Sequence, residues 1–169
     1  MKGYDYSQAG AYFITICCQD RICRFGNVFN GEMNLNPLGQ TAYDEWGKLR
    51  DRFPNIELDV FQIMPNHIHG IIVLNPVGAG VNPAPNTQND PNNRATARVA
   101  PTVGDIVGAY KSLVANGCLE IYKLKNEMMG KLWQRNYWER IIRDEQSYQT
   151  ISRYIMNNPA NWSADKFYL

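Results

Sequence analysis

Residues 56–74 of the chain read IELDVFQIMPNHIHGIIVL. Two runs rich in β-branched and aromatic residues are separated there by a Met-Pro-Asn connection, a pattern typical of neighbouring strands joined by a tight turn. We therefore predict strands at Ile56–Ile63 and His67–Leu74. The prediction places both histidines of the chain, His67 and His69, on the second of these strands.

Strand and helix patterns alternate on either side of this pair, without an internal repeat. Hydrophobic periodicity and end signals predict a strand at Ala11–Cys18, short extended pieces within Phe25–Leu35, a helix from Pro37 to about Phe53 capped by Asn36, a helix from Thr102 to Ala115, a strand at Leu132–Ile142 and a helix from about Asp144 to Asn157. Because 169 residues with 44% hydrophobic content can bury one core, we expect a single domain over 1–169.

A long connection separates the predicted strand pair from the next helix. Residues 78–101 read GAGVNPAPNTQNDPNNRATARVAP, which is rich in Pro, Asn, Gly and Ala and poor in large apolar residues. This composition predicts a flexible loop. Arg94 and Arg98 within it are candidate contacts for DNA phosphates.

Charge and cysteine content restrict the classes of partner. The formal charge is +1, so nucleic-acid binding would have to come from a local cluster of basic residues. The apolar stretch Ala11–Cys18 is too short for a signal segment or a membrane span, so we expect a cytoplasmic protein without a membrane partner. The four cysteines form no CxxC pair, which favours reduced thiols over a zinc knuckle or a disulfide framework.

The tripeptide His67-Ile68-His69 is the strongest chemical signal in the chain. Residues i and i+2 of a strand share a face, so both imidazoles can reach one divalent cation. Gly70 after them would allow close approach of another backbone or a ligand. Spacing alone leaves open that the two histidines are merely solvated on a half-exposed face. A metal site would also need an oxygen ligand from elsewhere in the chain.

The last predicted helix offers a tyrosine and such a ligand together. Tyr154 and Asn158 lie four residues apart and therefore share one helical face. The alternative is that Tyr154 belongs to an apolar stripe with Tyr148, Ile151 and Ile155 and lies in the core. Periodicity alone favours the core position for Tyr154.

Three motifs in this order resemble one family. PNHIHGII, then WQRNYWERIIRDE, then a helix ending in YIMNNP with Trp162 after it resemble the insertion-sequence-200-type transposases, specifically the REP-associated tyrosine transposases of the HUH superfamily of single-tyrosine nucleases. The resemblance spans about Gly3 to Trp162. It implies an α+β, ferredoxin-like fold in which an antiparallel sheet carries the His-x-His pair on a central strand and the last helix carries the tyrosine.

The resemblance also implies roles for particular residues. His67 and His69 resemble the paired metal ligands, Tyr154 the nucleophile and Asn158 the third ligand, with Asn157 as the fallback if the helix register differs. The implied cofactor is Mg²⁺ or Mn²⁺. The implied activity is a metal-dependent transposase that nicks and rejoins single-stranded DNA, in a hairpin context, through a 5′-phosphotyrosine. A monomer is expected rather than a helix-exchanged dimer.

Basic and aromatic residues around the proposed site are candidate DNA contacts. They are Lys111, Arg135, Arg140, Arg143 and Arg153, with Trp133, Tyr137 and Trp138 as candidate stacking surfaces. Taken singly, each such residue is more often a solvated charge or a core aromatic ring than a DNA contact.

Rival classes fit the sequence less well. A cupin-like dioxygenase needs further His or Glu ligands at set distances and a many-stranded barrel, and a histidine-triad hydrolase needs a third histidine. A two-histidine phosphodiesterase needs two separated His-x-Thr or His-x-Ser motifs. The remaining alternative is a catalytically silent nucleic-acid-binding module derived from a transposase. The sequence does not identify the group that accepts the proton of the tyrosine.

Overall fold

A four-stranded antiparallel sheet organises the protein. The computed structural model describes residues 9–76 and 101–168, so nearly all of the predicted loop at 78–101, including Arg94 and Arg98, lies outside the described residues. The elements are β1 (Gly10–Cys17), β2 (Gly26–Phe29), β3 (Glu32–Leu35), α1 (Pro37–Gly47), α2 (Leu49–Arg52), β4 (Ile56–Ile63), β5 (His67–Leu74), α3 (Val103–Leu124), β6 (Trp138–Ile142) and α4 (Glu145–Asn157).

The strand order of the main sheet is β4-β5-β1-β6, with every neighbouring pair antiparallel. β2 and β3 form a separate two-stranded hairpin. Strand β5 is therefore central, and His67 lies opposite Cys17 on β1 while His69 lies opposite Thr15. The predicted α+β, ferredoxin-like sheet with the His-x-His pair on a central strand is confirmed. The predicted bounds of β4 and β5 agree with the structure.

The two faces of the sheet carry different layers. Even-numbered residues of β5, such as Ile68 and Ile72, pack in the larger core with residues of α1 and α3. Ile71 on the other face packs with Ile151 and Ile155 of α4. Because side chains alternate along a strand, His67 and His69 project toward the face that α4 covers.

Gly70 interrupts the β5 side chains on the α1 face. A Cβ atom at this position would lie 2.6 Å from the Trp46 indole, so glycine is required by the close approach of a side chain from α1. The sequence had suggested a backbone or a ligand as the neighbour. The indole of Trp46 in turn stacks on Phe61 of β4, with ring centroids 4.3 Å apart.

The helix preceding β4 is shorter than expected. Asn36 caps α1, since its Oδ1 accepts hydrogen bonds from Leu38 N and Gly39 N. The helix ends at Gly47 and a separate short helix, α2, ends at Arg52. The predicted continuous helix to about Phe53 is therefore divided in two.

Helix α3 is longer than expected. Thr102 and Asp105 form a capping box at its start, but the helix continues nine residues beyond the predicted end at Ala115, to Leu124. Within the additional turns, Gly117 faces α1, where a Cβ atom would lie 2.6 Å from Thr41 Cγ2. The glycine serves helix packing.

Strand β6 is shorter than the predicted Leu132–Ile142. Regular pairing begins at Trp138, and Trp133 makes only an isolated bridge with Cys18. The indole N–H of Trp133 donates to the carbonyl oxygen of Lys111, and the Lys111 ammonium donates to the carbonyl oxygens of Gln134 and Arg135. Side-chain hydrogen bonds to α3 therefore fix this segment, which lacks the regular backbone pairing of a strand.

The structure also describes the state of the cysteines and the apolar character of the helices. All four cysteines are free thiols, and Cys23 is the exposed one. Among the residues that the structure describes, no helix has both the length and the apolar character needed to cross a membrane.

Candidate metal centre and its tyrosine

The C-terminal half of α4 lies beside the paired histidines of β5. Ile151 and Ile155 of this helix are buried against the sheet, which fixes the helix to the face where the imidazoles project. The Tyr154 hydroxyl oxygen consequently lies 3.2 Å from His69 Nε2. The fold thus brings together the two sequence signals, 85 residues apart, that suggested chemistry.

The two histidines present their Nε2 atoms to each other at 3.1 Å. Their Nδ1 atoms are engaged elsewhere: that of His67 lies 2.9 Å from Asn66 Oδ1, and that of His69 lies 2.8 Å from Thr15 Oγ1. Each ring is therefore held in orientation by a polar neighbour on its far side. Such a second contact is usual for metal-binding histidine.

The tautomer of His67 follows from its neighbour. The amide nitrogen of Asn66 donates to the carbonyl oxygens of Arg21 and Phe167, at 3.0 and 2.8 Å, so the amide oxygen must be the atom that faces His67. Because an amide oxygen only accepts, His67 carries its proton on Nδ1. The lone pair of its Nε2 is then directed toward His69.

Both histidine side chains are deeply buried. Their exposed fractions are 0% for His67 and 1% for His69, so the alternative of a solvated pair is wrong. Phe167 from the C-terminal segment covers them, with its ring centroid 4.5 Å from that of His67. Replacing either histidine by alanine would therefore remove a buried side chain and cost packing energy.

Burial also sets the charge of the pair. Loss of hydration, together with the smaller effect of the positive charges of Lys166 and Arg21, lowers the pKa of His67 to about 3. Burial likewise lowers the pKa of His69 well below its ordinary value, as does the neighbouring His67. Both imidazoles are neutral at pH 7, and the neutral form is the one that binds a metal ion.

Tyr154 is not a core residue. Its side chain is 40% exposed, whereas Ile151 and Ile155 of the same apolar stripe fill the core. The hydroxyl donates to Asp165 Oδ2 at 3.3 Å. Burial, followed by the charge of Asp165, raises the pKa of Tyr154 to about 12, so the phenol is protonated at pH 7.

Asn158 ends the same helix and has one unsatisfied atom. Its side-chain nitrogen donates to Asp165 Oδ2 at 2.8 Å, while its buried Oδ1 has no hydrogen-bond partner among the described residues. The residue is 2% exposed, whereas Asn157 next to it is exposed to solvent. An acceptor that is buried without a donor is a ready ligand for a cation.

Asp165 belongs to the site although no motif pointed to it. One ligand atom each from His67, His69 and Asp165 lie within 4.8 Å of one another. A 3-10 turn at Trp162–Ala164 reverses the chain after α4 and returns the carboxylate to the helix. Asn66 and Thr15 were also missed, although Asn66 directly precedes the His-x-His motif.

The donor atoms suit a divalent cation. Two imidazole nitrogens bound to one ion at about 2.1 Å and roughly at right angles are about 3 Å apart, and the observed Nε2 separation is 3.1 Å. A carboxylate and an amide oxygen nearby add hard donors, which magnesium and manganese prefer. The residues present therefore fit a divalent metal ion.

The five predicted DNA contacts are dispersed in the structure. Arg153 lines a cleft of about 270 Å³ together with Tyr154, Asn158 and Asp165. Arg135, Arg140 and Arg143 are exposed, and Arg140 lines a different cleft. Lys111 is occupied with two backbone carbonyls. Among the predicted stacking rings, Trp138 is exposed and Trp133 packs on Phe25.

Two cations that the sequence analysis missed lie at the histidines. The Arg21 guanidinium and the Lys166 ammonium lie 5.4 and 4.8 Å from the centroid of the Phe167 ring that covers His67. Positive charge beside the paired histidines would favour a phosphate there. Fold and site together define the class of the protein: a ferredoxin-like chain with a metal-type histidine pair on a central strand beside a tyrosine-bearing helix.

Two proteins of Haemophilus influenzae are similar to this chain in sequence. The chain matches no protein-family model. It is 40% identical over 171 aligned positions to an uncharacterized protein of Haemophilus influenzae, covering 100% of this chain and 91% of that protein, and the two belong to one family. It is 24% identical over 156 positions to another H. influenzae protein named "putative REP-associated tyrosine transposase", covering 92% of this chain and 73% of that protein.

Solved structures agree on the fold. A REP-associated tyrosine transposase bound to a REP hairpin superposes with a TM-score of 0.56 at 19% identity, covering 98% of this chain and 77% of that one. A "putative transposase" from Deinococcus radiodurans gives a TM-score of 0.51 at 17% identity, covering 93% and 96%. The resemblance drawn from the motifs is confirmed: the chain has the fold of the REP-associated tyrosine transposases and is similar in sequence to one of them.

Proposed function

We propose that the protein is a transposase, a metal-dependent nuclease and strand transferase for single-stranded DNA, with Tyr154 as its nucleophile. The observation that carries the proposal is the position of the Tyr154 hydroxyl, 3.2 Å from His69 Nε2 at the paired histidine nitrogens. A nucleophile must lie at the place where the phosphate is bound, and a phenol at a metal-type centre meets this requirement.

His67, His69 and Asn158 would hold the Mg²⁺ or Mn²⁺ ion, with Asp165 close by. The unpartnered Oδ1 of Asn158 supports this residue over Asn157, whose side chain is exposed. A bound divalent ion supplies charge stabilisation to the phosphate oxygens as the transition state forms. Thr15 and Asn66 keep the two imidazole rings oriented, since each contacts an Nδ1 atom.

The reaction exchanges one ester bond for another. The Tyr154 oxygen forms a bond to phosphorus while the bond from phosphorus to the 3′ oxygen of the DNA breaks. The phenolic proton leaves with the attack, and the departing oxygen takes up a proton to become a 3′-OH. The product is a 5′-phosphotyrosine that a second 3′-OH can attack to rejoin the strand, so no nucleotide cofactor is required.

The substrate is proposed to be single-stranded DNA next to a hairpin. Support comes from the structure with the same fold that is bound to a REP hairpin. On this chain, Arg153 lines the cleft that Tyr154 shares, and Arg21 and Lys166 flank the histidines. These three cations are the best placed to hold phosphates on either side of the cut. We further propose that a monomer suffices, since histidines and tyrosine come together within one chain.

Replacement of the tyrosine oxygen tests the nucleophile. A 3′-labelled hairpin oligonucleotide with Mn²⁺ should yield a protein-linked band on a denaturing gel with the wild type, and none with Tyr154→Phe. The matched control is Tyr148→Phe on the same helix, whose hydroxyl instead donates to Asp59. It should keep the adduct. An adduct that persists in Tyr154→Phe would refute Tyr154 as the nucleophile.

The same experiment addresses the alternative of a silent binding module. Wild-type protein that retards the hairpin on a native gel, yet forms no adduct with Mn²⁺ or Mg²⁺, would support that alternative. Omission of metal and addition of a chelator should both abolish the adduct. Full activity in excess chelator would remove the metal from the proposal.

A further inference from the structure

We infer that Asp165 is a positioning residue of this centre: its carboxylate fixes the direction of the Asn158 amide and holds the Tyr154 hydroxyl beside His69. The inference rests on the proposed function, because it concerns the same metal and the same nucleophile. It gives the segment after α4 a role in the site, although Asp165 belongs neither to the sequence motifs nor to the histidine pair.

The carboxylate is itself held rigidly. Asp165 Oδ1 accepts a hydrogen bond from the backbone N–H of Phe167 at 2.7 Å, within its own turn. Its Oδ2 accepts from Asn158 Nδ2 at 2.8 Å and from the Tyr154 hydroxyl at 3.3 Å. Asn158 and Tyr154 therefore donate to the same carboxylate oxygen, and the hydrogen bond from the Phe167 N–H fixes the position of the carboxylate.

The contact with Asn158 determines which amide atom is free. A side-chain amide can face two ways, and the reversed orientation would set its oxygen against the Asp165 carboxylate oxygen, two acceptors without a proton between them. The carboxylate therefore selects the orientation with nitrogen toward Asp165. Oδ1 is left buried and without a partner among the described residues, which is the state a metal ligand requires.

The contact with Tyr154 restricts the nucleophile. The tyrosine side chain is partly exposed, so packing alone leaves its hydroxyl room to move. Asp165 on one side and His69 Nε2 on the other, at 3.3 and 3.2 Å, hold the oxygen at the histidine pair. Fixing a nucleophile near its target lowers the entropic cost of the reaction.

A positioning role and direct metal ligation by Asp165 make different demands. Asp165→Asn does not separate the two roles, because both carboxylate oxygens accept hydrogen bonds and an amide has only one oxygen. Positioning acts on the Asn158 amide, which can face two ways, whereas a carboxylate at 158 would present an oxygen in either orientation. Asp165→Ala is therefore compared in the wild type and in an Asn158→Asp background, where only direct ligation still needs Asp165.

Mn²⁺ affinity gives a readout that does not depend on cleavage. We would titrate the DNA-free protein with Mn²⁺ and follow free Mn²⁺ by electron paramagnetic resonance. Asp165→Ala should weaken binding by about 10-fold or more, as loss of an orienting partner commonly does. In the Asn158→Asp background, Asp165→Ala should weaken binding by no more than about threefold. Equal losses in the two backgrounds would assign Asp165 as a direct ligand, and an unchanged Asp165→Ala in the wild-type background would exclude both roles; either result overturns the inference.

Cleavage kinetics supply the second readout. Asp165→Ala should lower kcat for adduct formation by about 10-fold or more while KM for the hairpin stays constant. The matched control is Asp59→Ala, which removes the other carboxylate that accepts from a tyrosine of α4. It should change neither Mn²⁺ affinity nor kcat.

Failure of the proposed function would look different. Wild-type protein that neither binds Mn²⁺ nor forms an adduct would overturn the nuclease itself, and this inference with it. Wild type that does both, with Asp165→Ala folded by circular dichroism and equally active, would overturn only the role of Asp165. If Asp165→Ala does not fold, Asp165→Asn decides: it keeps only one of the two acceptor oxygens, so it should also lose Mn²⁺ affinity and kcat, and a folded Asp165→Asn with wild-type values of both contradicts positioning by the carboxylate.

Discussion

The chemistry of this protein depends on how a few side chains are held. Two neutral imidazoles face each other at 3.1 Å, each tied at Nδ1 by a polar neighbour. His67 Nε2 is a buried acceptor, so it needs either a proton on His69 Nε2 or a cation as its partner. A cation between the rings could bind both nitrogens. The burial of these two neutral histidines therefore predicts that their replacement lowers stability and that stability depends on pH.

Alanine in place of His69 tests the burial of the pair. Because the ring is 1% exposed and contacts Thr15 and Tyr154, its removal should leave a cavity. We expect His69→Ala to lower the free energy of unfolding by about 1–3 kcal/mol in metal-free urea titrations and to abolish the adduct. A midpoint identical to that of the wild type would indicate a solvated ring.

Acid should destabilise the metal-free protein through the same residues. The pKa of His67 is near its ordinary value in the unfolded chain and about 3 in the folded one, so below pH 6.5 the unfolded state binds a proton that the folded state does not. Stability is therefore constant above pH 6.5 and falls as the pH drops toward 3. Each histidine should cost about 1.4 kcal/mol at pH 5.5.

The chain offers a clean control for that dependence. His67 and His69 are its only histidines, so a double alanine variant lacks this titration. Urea midpoints between pH 7.5 and 5.5 should fall for the wild type and stay nearly constant for the variant. Parallel pH dependences in the two proteins would place the titrating groups elsewhere.

At the scale of elements, two helix contacts position the site. Helix α4 is fixed to the sheet by Ile151 and Ile155, which leaves Tyr154 to face the histidines. On the opposite face of the sheet, α1 and α3 pack against β5. The close approach of α1 and α3 is possible because α3 carries a glycine at their contact.

Gly117→Ala tests that helix contact. The added methyl would lie 2.6 Å from Thr41 Cγ2, so we expect a loss of about 1–3 kcal/mol in unfolding free energy. Adding Thr41→Ser, which removes the Cγ2 methyl group of Thr41, should restore part of the lost unfolding free energy in a double-mutant cycle. Gly108→Ala is the matched control in the same helix, where a Cβ atom meets nothing within 4 Å. It should stabilise by about 0.4–1 kcal/mol.

At the scale of the whole molecule, the centre assembles from distant parts of the chain. Its donors come from β5, from α4 and from the segment that follows α4. These parts converge only in the folded state, so an ion that binds them binds the folded protein alone. Metal binding and folding should therefore be coupled.

Mn²⁺ should accordingly raise the stability of the wild type. With free Mn²⁺ at 100 times its dissociation constant, the gain in unfolding free energy should be about 2.7 kcal/mol, and a chelator should reverse it. His67→Ala should show no such gain at the same concentration. A gain in His67→Ala equal to that of the wild type would mean that the ion binds outside this centre.

Local sequence patterns were sufficient for most of the fold. Alternation and turn residues predicted β4 and β5, and cap residues predicted where α1 and α3 begin. Spacing along a strand and along a helix also predicted the pairing of His67 with His69 and of Tyr154 with Asn158. These are short-range properties, determined by side chains within one turn or one strand.

Only the tertiary structure decided the rest. The end of α3 depended on what Gly117 contacts across the helix interface, and the burial of the histidines depended on Phe167, which is 100 residues from His67. The place of Asp165 in the site depended on a chain reversal after α4. Local sequence patterns do not predict such contacts. Sequence periodicity predicts the face of a helix or strand on which a side chain lies, whereas its contacts with distant residues depend on tertiary packing.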